Sequence, residues 1–242
     1  MAVDPTPAPS ANGLKTLIDT IVSPKEAFES IRTFPTWGLA LAITIVLSAL
    51  GSYLMIPAFQ HAFTSSWPEM LAKDPRLAQM SADQQQSFVS MNLKIFNFAW
   101  LFSIVAVPVY CLIEAVVMLI FNAIGRGDGT FGKFFAASCN IAVPAAGLST
   151  IVAALIVTLR GAQSFESIPA VQSAMPSLAL LAPAGNAKLT AFFTAINPFT
   201  IWAVALSIAA MLIVGRVPKL QAWLAGIVMF LIPALLAVAG AK

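Results

Sequence analysis

A chain of 242 residues that is 59% hydrophobic and only 10% charged, with a mean hydropathy of +0.88, has too little polar surface to cover a water-soluble core, since ordinary soluble domains carry about 25% charged residues. The net charge of +3 comes from basic residues spread singly through the loops, which excludes the dense basic face of a nucleic-acid binder. The two cysteines, Cys111 and Cys139, both fall inside apolar stretches and read as small packing residues rather than a disulfide framework.

In chain order, residues 1–13 (MAVDPTPAPSANG) are rich in Pro and Ala without a period and read as a disordered tail. Leu14, Leu17, Ile18 and Ile21 then recur at helical spacing. Ser23-Pro24-Lys25-Glu26 announces a second short helix: a cap residue, a proline at the first turn and a glutamate three residues after the cap. Ala27, Phe28 and Ile31 give it an apolar side, so residues 14–36 are expected to be an amphipathic segment along the cytoplasmic membrane interface. No apolar stretch of a cleaved secretory signal lies among them, and the first span is expected to act as the insertion signal.

Residues 37–242 carry five long apolar stretches, Trp37–Phe59, Phe98–Ile124, Ala136–Leu159, Phe199–Val214 and Trp223–Ala239. Crossing a hydrocarbon layer about 30 Å thick takes about 17–25 apolar helical residues. Four stretches meet that length, and the Phe199 stretch does so with help from Ala195–Pro198. The expected fold is therefore all-α: a polytopic integral membrane protein, a bundle of five transmembrane helices with short interfacial helices. Trp37, Trp100, Trp202 and Trp223 lie near span ends as interface anchors.

The connections set the orientation. The short loops Gly125–Phe135 and Gly215–Ala222 hold two basic residues each, whereas the loops of about 40 residues on the other side dilute a similar number. The positive-inside rule then places the N-terminus in the cytoplasm and the C-terminus on the opposite side. His61–Asn92, with Trp67, Pro68, Pro75 and the polar run Ser81–Ser87, is expected to form short helices over the outer surface. In Ala162–Asn197, Leu189, Phe192, Phe193 and Ile196 recur at helical spacing as an interfacial helix leading into the fourth span. Ala174–Ala182 leaves room for a re-entrant segment too short to cross.

One residue needs a chemical explanation. Glu114 sits near the middle of the second span, where an ionised carboxylate costs at least about 2.5 kcal/mol. It must face protein, water or a partner. Tyr110 lies one turn earlier, and Asn140 in the third span lies at a comparable depth. Glu114, Asn140 and Tyr110 are therefore the candidate intramembrane polar site: a neutral interhelical hydrogen bond in one reading, a proton or cation site in the other. The spans hold no second carboxylate and no basic partner.

Small residues four apart, Ser48/Ser52, Ala136/Asn140 and Ala205/Ala209, mark places where helices can approach closely. Pro57, Pro108, Pro144 and Pro233 are expected to kink spans and free carbonyls. Enzyme constellations are missing. The single histidine, His61, supports neither a metal cluster nor a Ser/His/Asp arrangement. Gly125-Arg126-Gly127-Asp128-Gly129 reads as a turn, not a phosphate cradle, because neither glycine-rich nucleotide pattern is present. No catalytic, metal or cofactor-binding residue is assigned.

Three junctions carry a resemblance. Leu17–Trp37 (LIDTIVSPKEAFESIRTFPTW), Ile124–Pro144 (IGRGDGTFGKFFAASCNIAVP) and Asn197–Gly215 (NPFTIWAVALSIAAMLIVG), in this order and spacing, resemble bacterial Yip1-domain proteins. The resemblance implies a five-helix membrane protein with a cytoplasmic N-terminus, a location in the bacterial inner membrane, and no known catalytic activity. Eukaryotic members are associated with Rab GTPases and vesicle trafficking. The short tail here does not support a Rab-type partner, and the family supplies no catalytic residues to transfer. The expected function is non-enzymatic action through protein or lipid interactions in the bilayer, with a membrane-protein partner or homo-oligomer. The alternative is a small transporter or channel with Glu114 as its proton- or cation-coupled group.

Overall fold

Helix formation begins at an asparagine. Asn12 Oδ1 accepts from the Lys15 amide at 3.1 Å and caps α1 (Gly13–Val22). The computed structural model describes residues 12–183 and 186–241, so the tail expected over residues 1–13 lies outside the described residues except for Asn12 and Gly13. Proline at the first turn starts α2 (Pro24–Thr33), and Ser23 makes no side-chain cap. The two helices are held differently. α2 buries Ala27, Phe28 and Ile31 completely in the bundle, while α1 buries Thr16, Leu17 and Thr20 and leaves Leu14, Ile18 and Val22 as an open apolar stripe.

Helix does not end at Phe59, the last residue of the first apolar stretch. α3 (Gly38–Leu54) bends by 44° at Met55 and continues as α4 (Ile56–Lys73). A single turn, α5 (Pro75–Ala78), leads to α6 (Ala82–Phe98), which runs through a tight turn at Ala99–Phe102 into α7 (Ser103–Ile124). The segment expected as short surface helices is instead a long helical hairpin that extends the first two spans. Pro57 sits in the first turn of α4, where its missing N–H breaks no bond. Ser81 and Gln84 form a reciprocal capping box that starts the return arm. Aromatic contacts then join the arms: Phe96 lies 6.0 Å from Phe59 and 5.7 Å from Phe63, and Trp67 lies 5.5 Å from Phe88, centroid to centroid.

The third span is α8 (Phe131–Ala142), a π-helical turn over Val143–Leu148, and α9 (Ser149–Arg160). Pro144 has no N–H to give to Asn140 O, so the ladder widens there. Ser149 Oγ donates to Ala145 O at 2.7 Å and Thr150 Oγ1 to Ala146 O at 2.7 Å, restoring partners to carbonyls around the bulge. Beyond α10 (Ile168–Gln172), the stretch considered for a re-entrant segment contains a single turn at Leu178–Leu181. α11 (Ala187–Thr194) meets α12 (Pro198–Ile213) at 56°, across an Asn197–Thr200 capping box. α13 (Lys219–Gly240) completes the order.

No strand occurs among the described residues, and three helices are long and apolar enough to cross a membrane alone, or up to five if each bent pair is one span. The protein is an all-α polytopic membrane protein. Glycines permit two close helix approaches. A Cβ on Gly51 of α3 would stand 2.8 Å from Thr150 Cγ2 and 2.9 Å from the Thr150 backbone. One on Gly226 of α13 would stand 2.7 Å from Ile208 of α12. The main core gathers Phe28, Met118, Phe134, Met211 and Val214 where α2, α7, α8 and α12 meet.

Candidate functional site: a three-helix polar interlock

Glu114 lies on the buried face of α7, only 4% exposed. Both of its carboxyl oxygens have partners on other helices. Ser138 of α8 donates to Oε2 at 2.6 Å, and Ser207 Oγ of α12 lies 2.9 Å from Oε1. A single side chain thus ties three helices together.

Of the two partners expected from sequence, neither is the one found. Asn140 Nδ2 donates to Thr36 O at 2.9 Å and to Ala136 O at 2.8 Å, fastening the approach to the first span onto α8. Its Oδ1 is buried without a hydrogen-bond partner among the described residues. Tyr110 is 36% exposed and makes no hydrogen bond to Glu114 among the described residues. The reason is angular. Two residues apart on a helix are separated by about 200°, so when Ser138 faces Glu114, Asn140 must face elsewhere. Ser207 was missed because a lone serine in an apolar span gives no signal of what it meets.

The hydrogens can be counted. Ser207 Oγ lies 2.9 Å from Ala203 O as well as 2.9 Å from Glu114 Oε1. A serine hydroxyl has one hydrogen to donate. If that hydrogen goes to Ala203 O, an un-ionised Glu114 completes the network by donating to Ser207 while accepting from Ser138. This arrangement satisfies every polar atom and leaves no isolated charge in an apolar interior.

A second polar assembly closes the end of the bundle that carries the basic loops. Asn122 Nδ2 donates to Gly127 O at 3.3 Å and Gly129 O at 3.2 Å, and its Oδ1 accepts from the Gly129 amide at 3.2 Å. The Asp128 amide donates to Gly215 O at 3.0 Å, locking this loop to the one after α12. Gly127 is obligatory, since a Cβ there would stand 2.2 Å from Asn122 Oδ1 and 2.3 Å from Gly215 O. Both loops place an arginine in the left-handed region, Arg126 at φ 52° and Arg216 at φ 51°. Asp128 pairs with Arg32 of α2 at 2.9 Å and with Arg216 at 3.9 Å.

Elsewhere, the His61 ring lies 3.3 Å from Ser65 Oγ on the hairpin. No group of three or more His, Cys, Asp or Glu side chains is assembled among the described residues. The Yip1 domain model matches residues 18–241. The chain belongs to the Yip1 family. The Yip1 match begins within α1 and runs past the end of α13, so α2, the Glu114 interlock and the locked basic loops all lie inside the Yip1 domain. No curated protein and no solved structure matches this Yip1 chain.

Proposed function

We propose that this Yip1 protein is non-enzymatic and acts through protein or lipid interactions in the bilayer, as a scaffold or organiser of the membrane, in a trafficking-like role. In this reading it lies in the bacterial cytoplasmic membrane as five spans, with the N-terminus and the basic loops in the cytoplasm and the C-terminus opposite. The observation that carries the proposal is the Glu114 interlock. Both carboxyl oxygens are engaged by hydroxyls from two other helices, and four clefts found among the described residues are lined by other residues. A transport site needs a group that can release its ligand to water on each side. A carboxyl held between three helices suits a fixed structural tie better. A membrane-protein partner or a second copy of the chain would use the lipid-facing surface.

The test is direct. Pull-down from gently solubilised membranes should recover a reproducible partner or a homo-oligomer from the wild type and Glu114→Gln alike. Proton- or cation-driven flux in reconstituted vesicles that disappears in Glu114→Gln would overturn the reading in favour of a transporter.

A further inference from the structure

Three cations converge at the basic end from three separate segments. Arg32 comes from α2, Lys133 from α8 and Arg216 from the turn after α12, and together with Glu29, Leu212 and Ile213 they line a cleft of about 620 Å³. We propose that this cleft binds the phosphodiester of an anionic phospholipid headgroup.

The charges are not used up internally. Asp128 holds Arg32 at 2.9 Å but is 3.9 Å from Arg216, and Glu29 faces Lys25 at 4.0 Å. Lys133 makes no ion pair or hydrogen bond among the described residues. Lys133 is left to meet an external anion, and Arg216, held by Asp128 only at 3.9 Å and largely exposed, can turn to the same anion. The left-handed position after a helix is normally a glycine's, and a non-glycine residue there is strained. The fold holds an arginine in that place, lining a cleft with two other cations.

The other wall decides between a lipid and a soluble anion. Leu212 and Ile213 are on the last turn of the apolar helix α12, so the cleft spans the boundary between apolar and polar surface. A phosphodiester with acyl chains fills both halves, whereas inorganic phosphate fills only the polar one. The site is also built in advance. Arg32 and Lys133 stand on helices, and the Asp128–Gly215 backbone bond fixes the turn that carries Arg216, so little ordering cost falls on binding. Juxtamembrane basic residues contribute about fivefold each to anionic-lipid affinity.

The experiment uses the full chain in detergent, titrated with short-chain phosphatidylglycerol, phosphatidylcholine or inorganic phosphate and read by native mass spectrometry. Phosphatidylglycerol should bind in preference to phosphatidylcholine. Lys133→Gln should weaken it about fivefold and the pair Lys133→Gln/Arg216→Gln further, while Lys133→Arg restores it. Lys73→Gln, on the distant hairpin, should leave it unchanged. Because Lys133 holds no internal partner, its loss is not expected to unfold the protein; a thermal melt of the same samples checks this. Equal binding of the two lipids, indifference to Lys133→Gln, or displacement of phosphatidylglycerol by equimolar phosphate would each overturn the proposal. The proposal rests on the lipid-interaction side of the proposed function; its failure would leave the protein-partner side standing, which the partner recovery tests separately.

Discussion

Glu114 and Ser207 are separated by 93 positions in the chain and by 2.9 Å in space. Because Glu114 also meets Ser138, its removal affects three helices together. Glu114→Gln keeps a donor and an acceptor in place and should shift thermal unfolding in detergent only slightly. Glu114→Ala leaves buried polar groups to find new partners and should destabilise by about 1–3 kcal/mol. A double-mutant cycle of Glu114→Ala with Ser207→Ala should give a coupling near the 0.6 kcal/mol average for hydrogen bonds within membranes. A coupling of zero would mean the contact contributes nothing.

The approach of α3 to α9 should tolerate no side chain at Gly51. A methyl group there would meet Thr150 Cγ2 at 2.8 Å and its backbone at 2.9 Å. Gly51→Ala should cost about 1–3 kcal/mol through overpacking. Adding Thr150→Ser should rescue little, since it removes the methyl but leaves the backbone contact. Full recovery in the double variant, measured by thermal unfolding, would show that the clash is with the side chain alone.

The locked basic loops make opposite predictions for neighbouring residues. Gly127→Ala forces a Cβ against Asn122 and Gly215, and should open the loop to limited proteolysis. Arg126→Gly relieves about 1–2 kcal/mol of left-handed strain and loses about 0.5–1 kcal/mol to the greater freedom of glycine in the unfolded chain. A net gain of about 0.5–1 kcal/mol in thermal stability is expected. A loss would mean that the Arg126 side chain holds the loop.

In the hairpin, Phe96 touches both Phe59 and Phe63. Phe96→Ala should remove two aromatic pairs, at about 0.5–1.5 kcal/mol each. Proteolysis near Asp74–Ser81 should accelerate, while amide exchange in α12 and α13 stays unchanged. Faster exchange throughout the bundle would show that hairpin and spans unfold as one unit.

What could be read from the sequence follows from what lipid selects. A bilayer demands long apolar helices, so the stretches ending at Ile124, Leu159 and Ala239 were visible in composition, and the glycine turn after Ile124 is indeed a turn. The hairpin was obscured because α4 and α6 continue the apolar stretches into more polar sequence, and Pro57 and Pro68 look like breaks until Pro57 is seen in a first turn. The depth of Glu114 was legible but its partners were not. Hydropathy records how far a residue lies along a span and nothing of its rotation about the axis. Ser138 and Asn140 share nearly the same depth and differ only in direction.

The docking of α2 has a consequence in time. Phe28 and Ile31 are fully enclosed by a core that includes Phe134, Met211 and Val214, and Arg32 reaches an aspartate 96 positions further along. None of those surroundings exists when α2 leaves the ribosome. α2 must therefore wait for α12 before its apolar side is covered, and an early-made helix is enclosed only by segments made long after it.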